Sequence, residues 1–254
     1  LSLAPVAGRL QELLGRKVTF APDCVGARVK TLASSLEPGT VLLLENLRFH
    51  PEEKEGDLEF AAELADLADI YVNDAFGTSH RDHASMTGIP RVLGGGFAGL
   101  LVQKELEVFG DMLGDPKHPF TLLLGGAKVS DKIPVIENLI SKLDNLLIGG
   151  GMAFTFMKKK GMEIGRSLME EDRLEAAGSI MSHSEEMDVK IILPEDVVVA
   201  PDTDNPGEAE TVSANSIPPD MAGLDIGPET VSRFSDVVKN SSTVVWNGPM
   251  GVFE

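Results

Sequence analysis

The sequence is short of cysteine, of basic residues and of long apolar runs. Cys24 is the single cysteine among 254 residues, so an internal disulfide is excluded, and the composition fits a reducing cytoplasm. We expect Cys24 to serve in packing. Lysine and arginine number 22 against 40 acidic residues, and the net charge of −18 disfavours nucleic acid and anionic membranes as partners because their phosphates would be repelled. No apolar run is long enough to span a bilayer.

The two ends of the chain lack features expected of a complete protein. The first residues carry neither an initiator methionine nor the basic-then-apolar order of a signal peptide, and their apolar spacing predicts an amphipathic helix. The last residues follow a predicted strand without the helix that usually covers a parallel sheet. The sequence is therefore interpreted as a piece of a longer protein. With 43% hydrophobic residues, its length still allows two globular domains.

Three short apolar runs in the second half end on glycine. Residues 120–124 run into Gly125 and Gly126, residues 146–148 into three glycines from Gly149, and residues 243–246 into Asn247-Gly248-Pro249. In a parallel sheet such ends lie on one edge, where ligands bind in α/β proteins. The pattern predicts one ligand shared by all three strand ends.

Lys128 and Lys132 follow the first of these runs, and a helix is predicted to begin at Asp131. A helix N-terminus beside a strand end favours anions, and two helical lysines four residues apart would project from one face. This arrangement predicts a phosphate site. The alternative is a solvated lysine pair on an ordinary strand–helix unit.

The first half contains predicted strands at 18–21, 41–44 and 70–72, and two of them end in polar clusters. Arg48 follows the second strand and is suited to bidentate capture of a carboxylate or phosphate. A surface pair with Glu45 or Glu52 is its alternative.

The cluster after the third strand holds Arg81 between His80 and His83. A zinc site built on His-x-x-His is disfavoured because no further histidine or cysteine follows at ligand spacing and Arg81 would repel a cation. An anion clamp by Arg81 is preferred.

Three further segments are interpreted from their composition. Residues 51–57, PEEKEGD, are predicted to be a solvated loop, and residues 202–219 an excursion from the sheet. Residues 94–99, GGGFAG, match the spacing of a dinucleotide-binding fingerprint, but no convincing strand precedes them, so a flexible joint is preferred. A helix from Ala98 to Leu113 then connects two domains.

With these residues assembled, the chain resembles phosphoglycerate kinase along its whole length. The motifs that carry the resemblance are VLLLENLRFHPEE, YVNDAFGTSHRDHASMTGIP, LLLGGAKVSDKI, IGGGMAFTF and VVWNGPMGVFE. The resemblance implies an α/β fold of two Rossmann-like domains with parallel sheets joined by an interdomain helix, both incomplete in this chain. They would comprise a phosphoglycerate-binding domain at 1–97, a helix and hinge at 98–114, and a nucleotide-binding domain at 115–254, with closure about the joint.

The resemblance also implies roles for individual residues. Arg48 and Arg81 resemble the arginines that hold 3-phosphoglycerate and 1,3-bisphosphoglycerate, Lys128 the lysine that follows the transferred phosphoryl group, and Lys132 a lysine on a nucleotide phosphate. His83 would support the site without touching substrate. The positions that would bind Mg-ATP or Mg-ADP are Gly125, Gly126, Lys128, Lys132, Gly149, Gly150, Leu168, Leu224, Asn247, Pro249 and Glu254.

The implied function is a phosphotransferase of glycolysis with a carboxyl group as acceptor, acting as a monomer with Mg²⁺. The family's opening strand, its GGGD-like segment that binds magnesium and its closing GGGAS-like loop have no counterpart in these residues, so no metal ligand is assigned. Two other functions are weighed. One is a catalytically inactive nucleotide-binding fragment, and the other is a nicotinamide-dependent oxidoreductase using GGGFAG.

Overall fold

The computed structural model describes residues 1–202 and 209–252. These residues divide into two compact units, Leu1–Phe109 and Gly110–Glu254. None of the helices formed by the described residues combines the length and apolar character needed to cross a membrane. The α-helices are α1 (Ala4–Leu14), α2 (Ala27–Ser34), α3 (Pro51–Glu55), α4 (Leu58–Ala65), α5 (Ile89–Leu93), α6 (Leu100–Gly114), α7 (Ile133–Leu139), α8 (Gly150–Lys159), α9 (Leu174–Glu186) and α10 (Pro228–Lys239). The strands are β1 (Val18–Phe20), β2 (Val41–Leu43), β3 (Val72–Asn73), β4 (Phe97–Ala98), β5 (Phe120–Leu124), β6 (Asn145–Ile148), β7 (Lys190–Ile192), β8 (Asp196–Ala200), β9 (Glu210–Ser213), β10 (Ala222–Ile226) and β11 (Thr243–Asn247).

The first unit contains two parallel strand pairs, β1 with β2 and β3 with β4. Its principal core cluster packs Cys24 against Phe60 and Leu64 of α4. Cys24 is fully buried, and this burial, together with the neighbouring Asp23, raises the pKa of its thiol to about 12. The thiol therefore stays protonated and packs as a small apolar group, which confirms the packing role expected of it.

The second unit is built on a parallel sheet with the strand order β11-β5-β6-β7. Its central strand β5 is buried along its whole length, as the apolar run predicts. Successive residues of β5 face opposite sides of the sheet, so Leu122 and Leu124 join one core cluster and Leu123 another with Phe234 of α10. The three glycine-ended runs are thus adjacent strands of one sheet, as predicted.

A second, antiparallel sheet of order β10-β8-β9 accompanies the parallel one. The segment at 202–219, predicted to leave the parallel sheet, contributes β9 to this second sheet. Strand β10 was not predicted because its sequence AGLDI contains a glycine and an aspartate. Gly223 is nevertheless needed there, because a side chain would collide with the ring of Phe154.

The prediction of a loop at 51–57 is wrong, because residues 51–55 form α3. Pro51 occupies the first turn, where its missing N–H costs nothing, and Glu52 and Glu53 favour the positive end of the helix. These helix-start signals are visible in the sequence, but the loop was predicted from the high content of charged residues in this segment. The helix α2, between β1 and β2, was not predicted either.

The predicted helix start at Asp131 is also wrong. Helix α7 begins at Ile133 with Lys132 as its N-cap residue, and Lys128 lies in the preceding loop. Pro134 accounts for the difference, since it lacks the N–H that a helix beginning two residues earlier would need at this position. The two lysines therefore do not share a helix face.

The predicted flexible joint at 94–99 contains strand β4, which pairs in register with β3 from Val72 opposite Phe97. The segment before it is α5 and not a strand. The strand–turn–helix order that a dinucleotide fingerprint requires is therefore missing, which removes the basis of the oxidoreductase alternative.

Candidate active site

The glycine turns at the ends of β5, β6 and β11 are bonded to one another through their backbones. The amide of Gly125 donates to Asn247 O at 2.9 Å, and that of Gly126 donates to Pro249 O at 2.8 Å. The amide of Gly150 donates to Met250 O at 2.7 Å. Three chain segments far apart in sequence thus form one rigid floor.

Two of these glycines are required by the close approach of the backbones. A Cβ on Gly125 would collide with the carbonyl oxygen of Pro249, and Gly150 has a φ of +64° with the backbone of Gly126 against it. Only glycine fits the space at either position and, at Gly150, the left-handed conformation as well. The pattern read from the sequence therefore reflects tight backbone packing.

A cavity of about 500 Å³ opens above this floor. Glycine backbone and the apolar side chains of Leu168, Leu224 and Val252 both contribute to its lining. The residues lining the cavity are Gly126, Ala127, Gly150, Gly151, Arg166, Leu168, Pro201, Asp202, Ala222, Gly223, Leu224, Pro249, Gly251 and Val252. Five of the residues named from the sequence are therefore brought together here.

Helix α8 begins at Gly150, so its N-terminal end opens onto this cavity. The amides of Gly149, Gly150 and Met152 are bonded to Leu124 O, Met250 O and Gly126 O, so the dipole of the helix N-terminus is what favours an anion there. A lining that combines apolar side chains with an anion-favouring helix end suits a ligand with a flat apolar part and phosphate groups, such as a nucleotide.

The remaining sequence-predicted residues of this unit do not line the cavity. Gly125 and Gly149 lie at the strand ends that form its floor, and Lys132 donates through Nζ to Asn247 Oδ1. Lys128 is exposed, and in the described part of the chain its side chain forms no hydrogen bond or ion pair. Glu254, predicted as a ribose contact, lies outside the described residues.

Sequence reasoning missed Arg166 and Asp202 in the cavity lining. Arg166 donates through Nη1 to Pro201 O at 3.4 Å. Arg166 stands two residues before the predicted Leu168, which is the one signal that could have identified it. Asp202 had no such signal, because its position depends on where β8 ends.

A different cavity of about 680 Å³ lies at the amino ends of β5 and β6, next to α10. Pro119 and Asn145 line it, and Arg233 there is paired with Glu195. It lacks the converging glycine turns and an unpaired cation in its lining, so the smaller cavity is the better candidate site.

The first unit contains a cavity of about 470 Å³ at the end of β2. Arg48 and Asn46 line it together with Glu53, His83 and Ser85. Arg81 is exposed and is not among the lining residues, and no bond of its side chain exists in the part of the chain that the structure describes. The structure thus does not bring Arg48 and Arg81 together in this cavity.

The alternative that Arg48 pairs with Glu45 or Glu52 is wrong. The carboxylate of Glu45 accepts hydrogen bonds from Ser2 Oγ at 2.5 Å and from Leu3 N at 2.8 Å, and it also accepts from Asn46 N. Within residues 1–202 and 209–252, Arg48 forms no ion pair. Its guanidinium is therefore available to an anionic ligand.

The histidines of the first unit differ in their surroundings. His80 is exposed, whereas His83 is largely buried with Nδ1 3.7 Å from Glu53 Oε1. Among the described residues, one group of three potential metal ligands is found, consisting of Asp23, Cys24 and His50. There His50 Nε2 lies 2.7 Å from Asp23 Oδ1, and this hydrogen bond lowers the pKa of Asp23.

Comparison with known proteins decides the family. The family model described as phosphoglycerate kinase matches residues 1–254. The chain belongs to the phosphoglycerate kinase family. The phosphoglycerate kinase of Synechococcus sp. (strain JA-2-3B'a(2-13)) is 52% identical over 253 residues, covering 100% of this chain and 61% of the relative. A cytosolic phosphoglycerate kinase of Triticum aestivum is 51% identical, and 63% of it is covered.

Two solved phosphoglycerate kinase structures share the fold. That from Coxiella burnetii gives a TM-score of 0.79 at 38% identity, with 100% of this chain and 63% of that chain covered. That from Pyrococcus horikoshii OT3 gives 0.75 at 29% identity, with 65% of that chain covered. The chain spans between three fifths and two thirds of the length of these phosphoglycerate kinases. Its parallel sheets and its helices match the α/β fold expected from the sequence.

Proposed function

We propose that this protein is a phosphoglycerate kinase, which transfers a phosphoryl group reversibly between 1,3-bisphosphoglycerate and ADP to give 3-phosphoglycerate and ATP. The observation that carries the proposal is the cavity of about 500 Å³ whose lining combines glycine turns with Leu168 and Leu224. Family membership supports the same reaction.

In this proposal the adenine ring lies against Leu168 and Leu224, and the phosphates lie over the floor. Gly125, Gly126, Gly149 and Gly150 allow that close approach, as their backbone contacts support. Lys132 and Asn247, bonded to each other, and Pro249 then stand at the phosphates. Glu254 remains proposed as the ribose contact on family resemblance alone.

The acceptor side is assigned to the first unit. Arg48 in the cavity at the end of β2 and Arg81 on the loop after β3 are proposed to hold the phosphoglycerate anion. An unpaired guanidinium offers two parallel donors to a carboxylate or phosphate, so each arginine can orient the substrate as well as attract it.

The transfer needs position and charge more than covalent chemistry. A carboxylate oxygen of 3-phosphoglycerate attacks the γ-phosphorus of ATP as the bond to the bridging oxygen of ADP breaks, and negative charge spreads over the equatorial oxygens. We propose that Lys128 and the N-terminal end of α8 stabilise this charge. No nucleophilic side chain takes part.

Mg²⁺ is proposed as the partner of the nucleotide phosphates. Among the described residues, no three histidine, cysteine, aspartate or glutamate side chains converge at this cavity. Mg²⁺ is commonly held by one or two carboxylates together with phosphates and water, so a site for it does not require such a cluster, and no residue of this chain is assigned as its ligand.

The direct test is a coupled assay in both directions on the 254-residue chain and on the protein expressed from its complete coding sequence. Calorimetric titrations with ADP and with NAD accompany the assay. Turnover of 3-phosphoglycerate by the complete protein would support the proposal, whereas ADP binding without turnover would favour a catalytically inactive nucleotide-binding protein. Saturable NAD binding would revive the oxidoreductase alternative.

Replacing either substrate-side arginine by lysine should weaken phosphoglycerate more than nucleotide. In Arg48→Lys and Arg81→Lys the charge stays but the planar fork is lost, so we expect the KM for 3-phosphoglycerate to rise about tenfold and the KM for ATP to change little. Arg9→Lys is the control, because Arg9 pairs with Glu12 on the surface of α1. Equal increases in both KM values would contradict the acceptor-side assignment.

The compartment, the oligomeric state and the partners are proposed from the family and the composition. We propose that the protein acts in the cytoplasm as a monomer in glycolysis, without nucleic-acid or membrane partners, which the net charge of −18 supports.

A further inference from the structure

The loop between β5 and α7 carries Lys128 but has little regular structure of its own. Its first two residues, Gly125 and Gly126, are bonded to the β11 turn at the floor of the cavity. Its last turn is closed by the hydrogen bond from Lys132 N to Val129 O at 2.8 Å. Lys128 lies between these two anchors and is exposed, so the position of its ammonium depends on how firmly Val129 and Ser130 are held.

Glu170 holds this segment through three hydrogen bonds. Its Oε2 accepts from Val129 N at 2.5 Å and from Ser130 N at 3.2 Å, and its Oε1 accepts from Ser130 Oγ at 2.9 Å. The side chain of Val129 is fully buried in the main core cluster. The residue after Lys128 is thus fixed on its backbone by Glu170 and on its side chain by the core.

Glu170 is itself anchored. Its amide donates to Oγ1 of Thr155 at 3.1 Å, and Thr155 is fully buried on α8. Two residues earlier, Leu168 lines the cavity, whereas Glu170 is not among the lining residues. The segment from Leu168 to Glu170 therefore connects the apolar wall of the cavity to the loop that bears Lys128.

The carboxylate is ionised at neutral pH. Partial burial opposes ionisation, but the hydrogen bonds from Ser130 and Val129 and the nearby charge of Arg173 outweigh it, so the pKa of Glu170 lies below its ordinary value of 4.5. The bonds are consequently present above that value and are lost only as the pH falls through the lowered pKa.

We propose that Glu170 is a positioning residue for Lys128. This inference rests on the proposed phosphoryl transfer. Glu170 touches neither substrate nor nucleotide, and it acts by fixing the backbone on the C-terminal side of Lys128 so that the ammonium meets the moving phosphoryl group.

The test is Glu170→Gln in the protein expressed from its complete coding sequence. Glutamine keeps the size of the side chain and one acceptor oxygen. Its NH₂ group replaces the other oxygen and cannot accept a hydrogen bond, so at least one of the donors on Val129 and Ser130 loses its partner. We expect kcat to fall about tenfold, since small misplacements of a catalytic group have effects of this order, while the KM for ATP changes less than about threefold. Glu171→Gln is the matched control, because the neighbouring Glu171 is exposed and loses the same charge.

A double mutant identifies the route of the effect. If Glu170 acts through Lys128, Glu170→Gln should reduce kcat less than about twofold in a Lys128→Ala background. Full additivity would overturn the proposal, as would an unchanged kcat in the single variant.

Ser130→Ala keeps the proposal testable if Glu170→Gln does not fold, as judged by circular dichroism and Tm. It removes one of the three bonds, and we expect a fall of about threefold in kcat that disappears in the Lys128→Ala background. An additive effect, or none, would again overturn the proposal. Absence of turnover in the unaltered complete protein would overturn the proposed function, and this inference with it.

Discussion

Lys128→Ala in the complete protein should lower kcat by about 100-fold or more while raising the KM for nucleotide far less. Lys128 is exposed on the loop after β5, its side chain forms no hydrogen bond or ion pair with another described residue, and it does not line the proposed nucleotide cavity. A lysine so placed contributes little to ground-state binding but can meet charge that develops in the transition state, and removing one such electrostatic donor has effects of this size. Steady-state kinetics with varied ATP and 3-phosphoglycerate provide the measurement.

Lys160→Ala is the matched control for this variant. Lys160 is also exposed, and it stands at the C-terminal end of α8, about 15 Å along the helix from Gly150. The variant removes one positive charge from the same unit. It therefore separates the effect of the Lys128 ammonium at its own position from the effect of changing the net charge of the protein. A Lys128→Ala enzyme that kept its kcat and lost only nucleotide affinity would show that Lys128 has a binding role instead.

Gly125→Ala should disrupt the nucleotide cavity and destabilise the second unit. A methyl group at this position would collide with the carbonyl oxygen of Pro249, and Pro249 lines the cavity. The β11 turn must move away, which we expect to lower the free energy of unfolding by about 1–3 kcal/mol. The same shift should weaken ADP binding at least about tenfold. Calorimetric titration with ADP and chemical denaturation measure the two effects.

Gly110→Ala provides the control for Gly125→Ala. Gly110 lies inside α6 with no atom within 4 Å of the added methyl group, so this variant should be stabilised by about 0.5–1 kcal/mol through its helix propensity. Its ADP affinity should not change. If Gly125→Ala behaved in the same way, the close approach of the β5 and β11 turns would not be needed for the cavity.

The sequence by itself determined the parallel sheet of the second unit and the edge at which its site lies. The runs that became β5, β6 and β11 are short, apolar and bounded by glycine, and all of this information is local. Leu168 and Leu224 were assigned from resemblance to a family, and both line the cavity. The same resemblance named the family to which the chain belongs.

The tertiary structure decided the features that depend on contacts between distant segments. Strand β10 exists because β8 pairs with it and Gly223 leaves room for the ring of Phe154, although its own sequence resembles a turn. The three hydrogen bonds by which Glu170 holds the loop that bears Lys128 join residues about 40 positions apart. Local sequence cannot specify such pairings, because their free energy comes from side chains and backbone groups that meet only in the folded chain.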